Sequence, residues 1–224
     1  MSQPRTAPSQ PRIFTGVTVG PRLDALGFRE REILEAVEAG EADRSACTLN
    51  DALHLGGTIL RSRTLRTLRE LKLVDGWYRG DLGGIEVLLN PKSKVAVAVN
   101  LGTPETGVAG ADPRTKNPKG SSTKQAVRSN AAQLSLLLDE PALEEPELRE
   151  GYEFWMLLVV ATDEEVRCEL SRPWRMSGTN VERWYERVIP PPVSRNPDAP
   201  LPSRDDSEPG QEIEIDISRK SDAA

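Results

Sequence analysis

Apolar residues along this chain recur every three or four positions in its first and middle parts and every second position near residue 95, so the pattern predicts an α+β protein. The first helical run is FREREILEAVEAG, where Ile33, Leu34 and Val37 form an apolar stripe among charges and Gly40 offers a stop. This reads as a surface helix. A second helix is expected near TLNDALHL, with Thr48 as its cap. In the third, Leu60, Leu65, Leu68 and Leu71 fall within an arc of about 140° at 100° per residue, and Arg63, Arg66 and Arg69 fall on the other side within about 120°. One face is built for a core and the other is cationic.

After Asp75-Gly76 the period changes. GIEVLL and KVAVAVN flank Asn90-Pro91-Lys92-Ser93, which predicts a β-hairpin, and Val95, Val97 and Val99 alternate with small residues. The alanines at 96 and 98 imply that the second face is covered too. Residues 102–120, GTPETGVAGADPRTKNPKG, form a long Gly/Pro/Thr-rich loop, and loops of that length are usually functional or disordered. Ser121 or Ser122 can cap a helix carrying Val127, Ala131, Leu134 and Leu138. Beyond the acidic segment DEPALEEPELRE, FWMLLVVA is a continuous apolar run, best read as a strand buried on both faces. Thr162-Asp163-Glu164-Glu165 fits a capping box for a short helix ending before Pro173, and Asn180 starts another, VERWYERVI.

The ends have no sustained apolar period. Residues 1–22 are Pro-, Ser- and Arg-rich and read as a disordered arm, while 194–224 read as a disordered acidic tail. Between them the divisions are a winged-helix-like module over 23–100, a basic loop over 101–120 and an α/β portion over 121–193. Three helices, the third basic, followed by a hairpin give the winged-helix order. Aromatics are only 4% of residues, so the core is aliphatic. No signal peptide or membrane span is legible, which points to the cytoplasm and to no membrane partner. Cys47 and Cys168 lack disulfide or metal spacing and read as small buried hydrophobes.

Charge sharpens this outline. The chain carries −6 overall, but residues 60–128 hold 13 basic and 6 acidic side chains and residues 129–224 hold 10 and 21. A basic middle invites an anionic partner. Arg63, Arg66 and Arg69 are candidate phosphate contacts, with Arg114, Lys116, Lys119 and Lys124 as a second set just before a helix whose first-turn N–H groups favour phosphate. No P-loop string is present. Glu86, Glu105 and Asp112 are candidate carboxylates for metal-dependent nuclease chemistry, but the strand after Glu86 has no E-x-K. His54, the only histidine, reads as a turn residue, even with Cys47 seven positions before it. Trp174, Trp184 and Tyr185 suit packing or base stacking. In the tail, Ile213, Ile215 and Ile217 alternate with acids, the pattern of a strand added to a sheet edge.

The segments VAVAVNLGTPETG, PRTKNPKGSSTKQAVRSNAAQLSL, ELSRPWRMSG, VERWYERVIPPP and EIEIDI resemble an uncharacterised group of bacterial proteins found on phage-like and integrative mobile elements. That resemblance spans most of 25–217 and implies an accessory role without a mechanism. The expectation is a non-enzymatic accessory or regulatory protein, with no cofactor or metal, that contacts a nucleic-acid backbone through its basic middle. Two other classes stay open: a protein–protein adaptor or self-assembling protein, and, with less support, a metal-dependent nuclease.

Overall fold

The FWMLLVVA run is the middle of one large mixed sheet. The computed structural model describes residues 10–137 and 151–195, and in them eight strands form this sheet. They are β1 (Arg12–Phe14), β2 (Tyr78–Asp81), β3 (Glu86–Asn90), β4 (Val95–Leu101), β5 (Glu153–Ala161), β6 (Glu165–Ser177), β7 (Asn180–Val188) and β8 (Val193–Ser194). Their order is β1-β7-β6-β5-β4-β3-β2, with β8 pairing on the start of β6. The β1–β7 and β4–β5 pairs are parallel and the rest antiparallel.

Alternation along β5 assigns the two faces. Trp155, Leu157 and Val159 join Val95, Val97 and Val99 in a core under α1 (Val19–Leu26), α2 (Glu30–Ser45) and α3 (Leu55–Leu73). Phe154, Met156 and Leu158 join Val87, Leu89, Ala96 and Ala98 on the other face, against α4 (Ser121–Leu137). The small alanines give α4 room, and Val127 of its expected stripe is buried there. Asn130 fixes α4 to the sheet: its amide donates to Phe154 O (2.7 Å) and Pro173 O (3.2 Å) and accepts from Phe154 N (2.8 Å). Each fully buried aliphatic contributes roughly 1.5–3 kcal/mol.

The α+β class, the Leu60/Leu65/Leu68 core face, the β3–β4 hairpin and the doubly buried β5 follow the sequence. Asn90 closes the hairpin as expected of an Asx turn, its Oδ1 accepting from Lys92 N (2.9 Å) and Ser93 N (3.3 Å).

Several expectations need correcting. β3 and β4 are interior strands of the sheet, since β4 also pairs with β5, so the hairpin is no free wing. The arm expected over 1–22 already contains β1 and the first half of α1 from residue 12 onward. TLNDALHL is a run of turns, in which Asp51 accepts from Thr48 N (2.7 Å), and α3 starts at Leu55. α2 runs through Gly40 to Ser45, because that glycine packs against α3 and does not end the helix. Both helices expected after Thr162 are strands. Thr162 Oγ1 does accept from Glu165 N (3.2 Å), but that bond closes the β5–β6 turn, and Val166, Cys168 and Leu170 then alternate into the core.

No described helix is long and apolar enough to cross a membrane. The tail motif Ile213, Ile215 and Ile217, and Leu138 of the expected stripe, lie outside the described residues.

Candidate nucleic-acid interface

The arginines of α3 come first because the sequence singles them out. Arg63 pairs with Asp43 of α2 (2.9 Å), Arg66 with Glu70 one turn on (2.8 Å) and Arg69 with Glu86 of β3 (3.5 Å). Arg61, not singled out, donates to Val99 O (2.9 Å) and lies 3.9 Å from Glu86. The cationic face read from the sequence thus carries its own counter-charges, because carboxylates of the chain pair with Arg63, Arg66 and Arg69. For Arg63 and Arg69 the reason is tertiary, since Asp43 and Glu86 lie outside α3, whereas the partner of Arg66 is one turn away in the same helix. Surface pairs of this kind are worth about 0–1 kcal/mol each, so they balance charge more than they stabilise.

The basic loop is held in place. Glu169, fully buried, accepts from Arg187 at Nε (3.0 Å) and Nη2 (2.6 Å), from Ser171 Oγ (2.7 Å) and from the backbone N–H of Gly107 (2.9 Å). Arg187 also donates to Ala111 O (2.7 Å) and Val108 O (3.0 Å), and Trp184 donates to Pro113 O (2.8 Å). One buried charge pair thus orders a long Gly/Pro loop, as a desolvated bidentate pair does when its remaining donors and acceptors are met.

This anchoring scatters the second candidate set. Arg114 faces Glu182 of β7 at 3.7 Å. Lys116 is exposed beside the end of β4, its N–H donating to Leu101 O (2.9 Å), and Lys124 lies in the first turn of α4. Lys119 is partly buried, its N–H donating to Thr179 O (2.7 Å). Burial, and then the nearby Arg61, depress its ammonium to about 8. The unfolded chain therefore binds more protons between pH 8 and 10.5, so folding becomes easier as pH rises through that window. Lys119→Met is expected to raise the melting temperature at pH 7, with the gain shrinking towards pH 10.5. Scanning calorimetry of both proteins at the two pH values checks this.

The site that the chain does bring together lies on the β6–β7 hairpin. Arg175 and Arg183 are opposite each other across the two strands, both exposed, with no carboxylate partner among the described residues. Like charges opposed across a sheet repel, so this pair destabilises the hairpin unless an anion lies between them. Beside them Trp174 and Tyr185 are partly exposed, ring centroids 6.2 Å apart. Arg12 of β1 lies over the Tyr185 ring at 4.8 Å and donates to its hydroxyl. Arg172 lies under the same ring at 5.5 Å, tied to Glu153 at 2.9 Å. Trp174, Arg175, Arg183 and Tyr185 line a groove of about 840 Å³ that also reaches Arg114, Asp112 and Glu182. Trp184, by contrast, is buried and packs.

Arg12, Arg175 and Arg183 were missed by sequence reasoning. The signal was present in RPWR and ERWYER, two segments interleaving arginine with aromatics, but with VERWYERVI read as a helix and the Pro173 segment left between two helices they are never set side by side.

The described residues supply 24 basic and 21 acidic side chains, giving +3, against −6 for the whole chain. The acids are concentrated at 138–150 and 196–224, each segment carrying −5.

The candidate carboxylates are not gathered. Glu86 is taken up by Arg61 and Arg69, and Glu105 is held below its usual range by a hydrogen bond from Thr103. Among the described residues no group of three or more His, Cys, Asp or Glu side chains is placed to hold a metal. His54 is exposed at the start of α3, and Cys47 and Cys168 are buried, with burial pushing the Cys168 thiol up to about 12. Comparison with known proteins adds no relative: no family model, curated protein or solved structure matches the chain.

Proposed function

We propose that this is a binding protein that contacts a nucleic-acid backbone, with the contact made by the β6–β7 groove instead of the α3 face. The observation that carries this reading is the cross-strand Arg175/Arg183 pair, which has no carboxylate partner among the described residues and lies beside two partly exposed aromatic rings. Phosphates supply the missing counter-charge, and Trp174 and Tyr185 offer stacking surfaces for unpaired bases. Arg12, held on Tyr185, adds a third cation. The excess of basic side chains in the described residues favours a polyanion in the same sense. A supporting role on a bacterial mobile element, as the sequence resemblance implies, is the setting we assign to it.

The test is the salt dependence of binding, read by fluorescence anisotropy with labelled single-stranded and duplex oligonucleotides. Arg175→Ala with Arg183→Ala is expected to reduce the log–log slope by about 1.4 for single strands and about 1.8 for duplex, two phosphate contacts in each case. Arg63→Ala with Arg66→Ala, which removes arginines already paired within the chain, is expected to leave the slope within half a contact of the native value. An unchanged slope in the first variant removes the groove from the reading.

A further inference from the structure

β7 is nine residues long, but β1 pairs only with Glu186–Val188. Among the described residues no strand lies beyond Asn180–Tyr185; Val181 N–H there donates to Thr115 Oγ1 (3.4 Å), which leaves Glu182–Tyr185 as the part of the edge with no strand beside it. The groove begins where β1 ends, with Gln10, Pro11 and Ile13 on one side and Arg175, Arg183 and Tyr185 on the other. Ile13 there is 41% exposed. An open edge of this kind accepts an added strand through its unpaired backbone groups.

We propose that the chain's own acidic tail, residues 212–217, adds to this open edge of β7, with its carboxylates set against Arg12, Arg175 and Arg183. Three observations support that occupant. The segment EIEIDI alternates Ile213, Ile215 and Ile217 with Glu212, Glu214 and Asp216, the sequence pattern that a strand lying between an apolar and a cationic surface would need. Residues 196–224 carry three basic and eight acidic side chains, whereas the groove holds Arg175 and Arg183, which have no carboxylate partner among the described residues. The chain also reaches. Arg195 is anchored by Glu41 (2.8 Å) and Thr162 O (2.7 Å), at the end of β6 where Glu165 lies. Arg175 is ten residues along that strand, about 33 Å away. The sixteen residues from 196 to 211 span roughly 50 Å when extended.

The inference does not depend on nucleic-acid binding and is tested without nucleic acid. Hydrogen exchange is followed by mass spectrometry in the full-length protein for peptides covering Glu182–Tyr185. In a tail variant with Glu212→Lys, Glu214→Lys and Asp216→Lys, which lies outside the described fold, exchange of these amides is expected to be at least tenfold faster. Arg175→Glu with Arg183→Glu is expected to do the same, and combining both sets, which swaps the charges, is expected to restore protection. Exchange unchanged in the tail variant overturns the proposal. Protection that strengthens with protein concentration overturns it in favour of a tail from a second copy. A failure of the oligonucleotide experiment together with a positive exchange result would separate the two readings, leaving the tail as the groove's occupant.

Discussion

Arg187→Leu is expected to lower the melting temperature by roughly 10 °C. The substitution leaves Glu169 charged with no guanidinium, at a position with no exposed surface, and breaking a buried pair from one side costs about 3–5 kcal/mol. In a fold of this size each kcal/mol is worth about 2–4 °C. Loss of stability is only half of the expected result. Arg187 also holds Ala111 and Val108 by their carbonyls, so the loop over 102–120 loses two anchors at once. Trypsin is therefore expected to cut after Arg114 or Lys116 in the variant while leaving the native loop intact at the same enzyme ratio. Calorimetry and a timed digest check the two parts. A variant that melts normally would mean that the pair contributes no net stability.

Gly40→Val is expected to cost about 3 kcal/mol, through the contact between α2 and α3. A Cβ at position 40 would lie 2.8 Å from the backbone oxygen of Leu60 and would also meet the Thr64 hydroxyl, which is fully buried. A helix carbonyl cannot swing aside as a side-chain end can, so the helices must separate, and such overpacking usually costs 1–3 kcal/mol or slightly more. The helix propensity that a glycine forfeits, about 1 kcal/mol relative to alanine, is too small to reverse this. Urea unfolding monitored by far-UV circular dichroism gives the difference directly. Ala39→Val, one position earlier and only partly buried, is the control and is expected to change stability far less.

Reading the sequence succeeded where the apolar period was strong and local. The leucines of α3, the β3–β4 alternation and the unbroken apolar run of β5 each carry their own signal. It failed where charge mimicked a helix. VERWYERVI has Glu and Arg at spacings a helix would favour, yet Trp184, Tyr185, Val188 and Ile189 favour an extended chain, and pairing with β6 settled the matter. Thr162 was misleading for a sharper reason, because its hydroxyl makes the same bond to the third residue on in a turn as at a helix start. The winged-helix expectation failed because a hairpin's own residues do not say what pairs beyond it. Val97 meets Trp155, 58 residues later. The interface was legible only in part. RPWR and ERWYER hold its chemistry, but only the cross-strand register makes Arg175 and Arg183 neighbours, and only the fold brings Asp43 and Glu86 to the arginines of α3.

The register of β1 bears on synthesis. Arg12 leaves the ribosome before the other described strands, but it sits opposite Glu186, so β1 waits for all the residues between them before it can dock. At 5–20 residues per second that wait is on the order of ten seconds or more. During it Ile13 and Phe14 have no sheet to join, and α1 to α3, whose contacts are local, have ample time to associate first. Docking of β1 thus comes late, although β1 precedes every other described strand in the sequence.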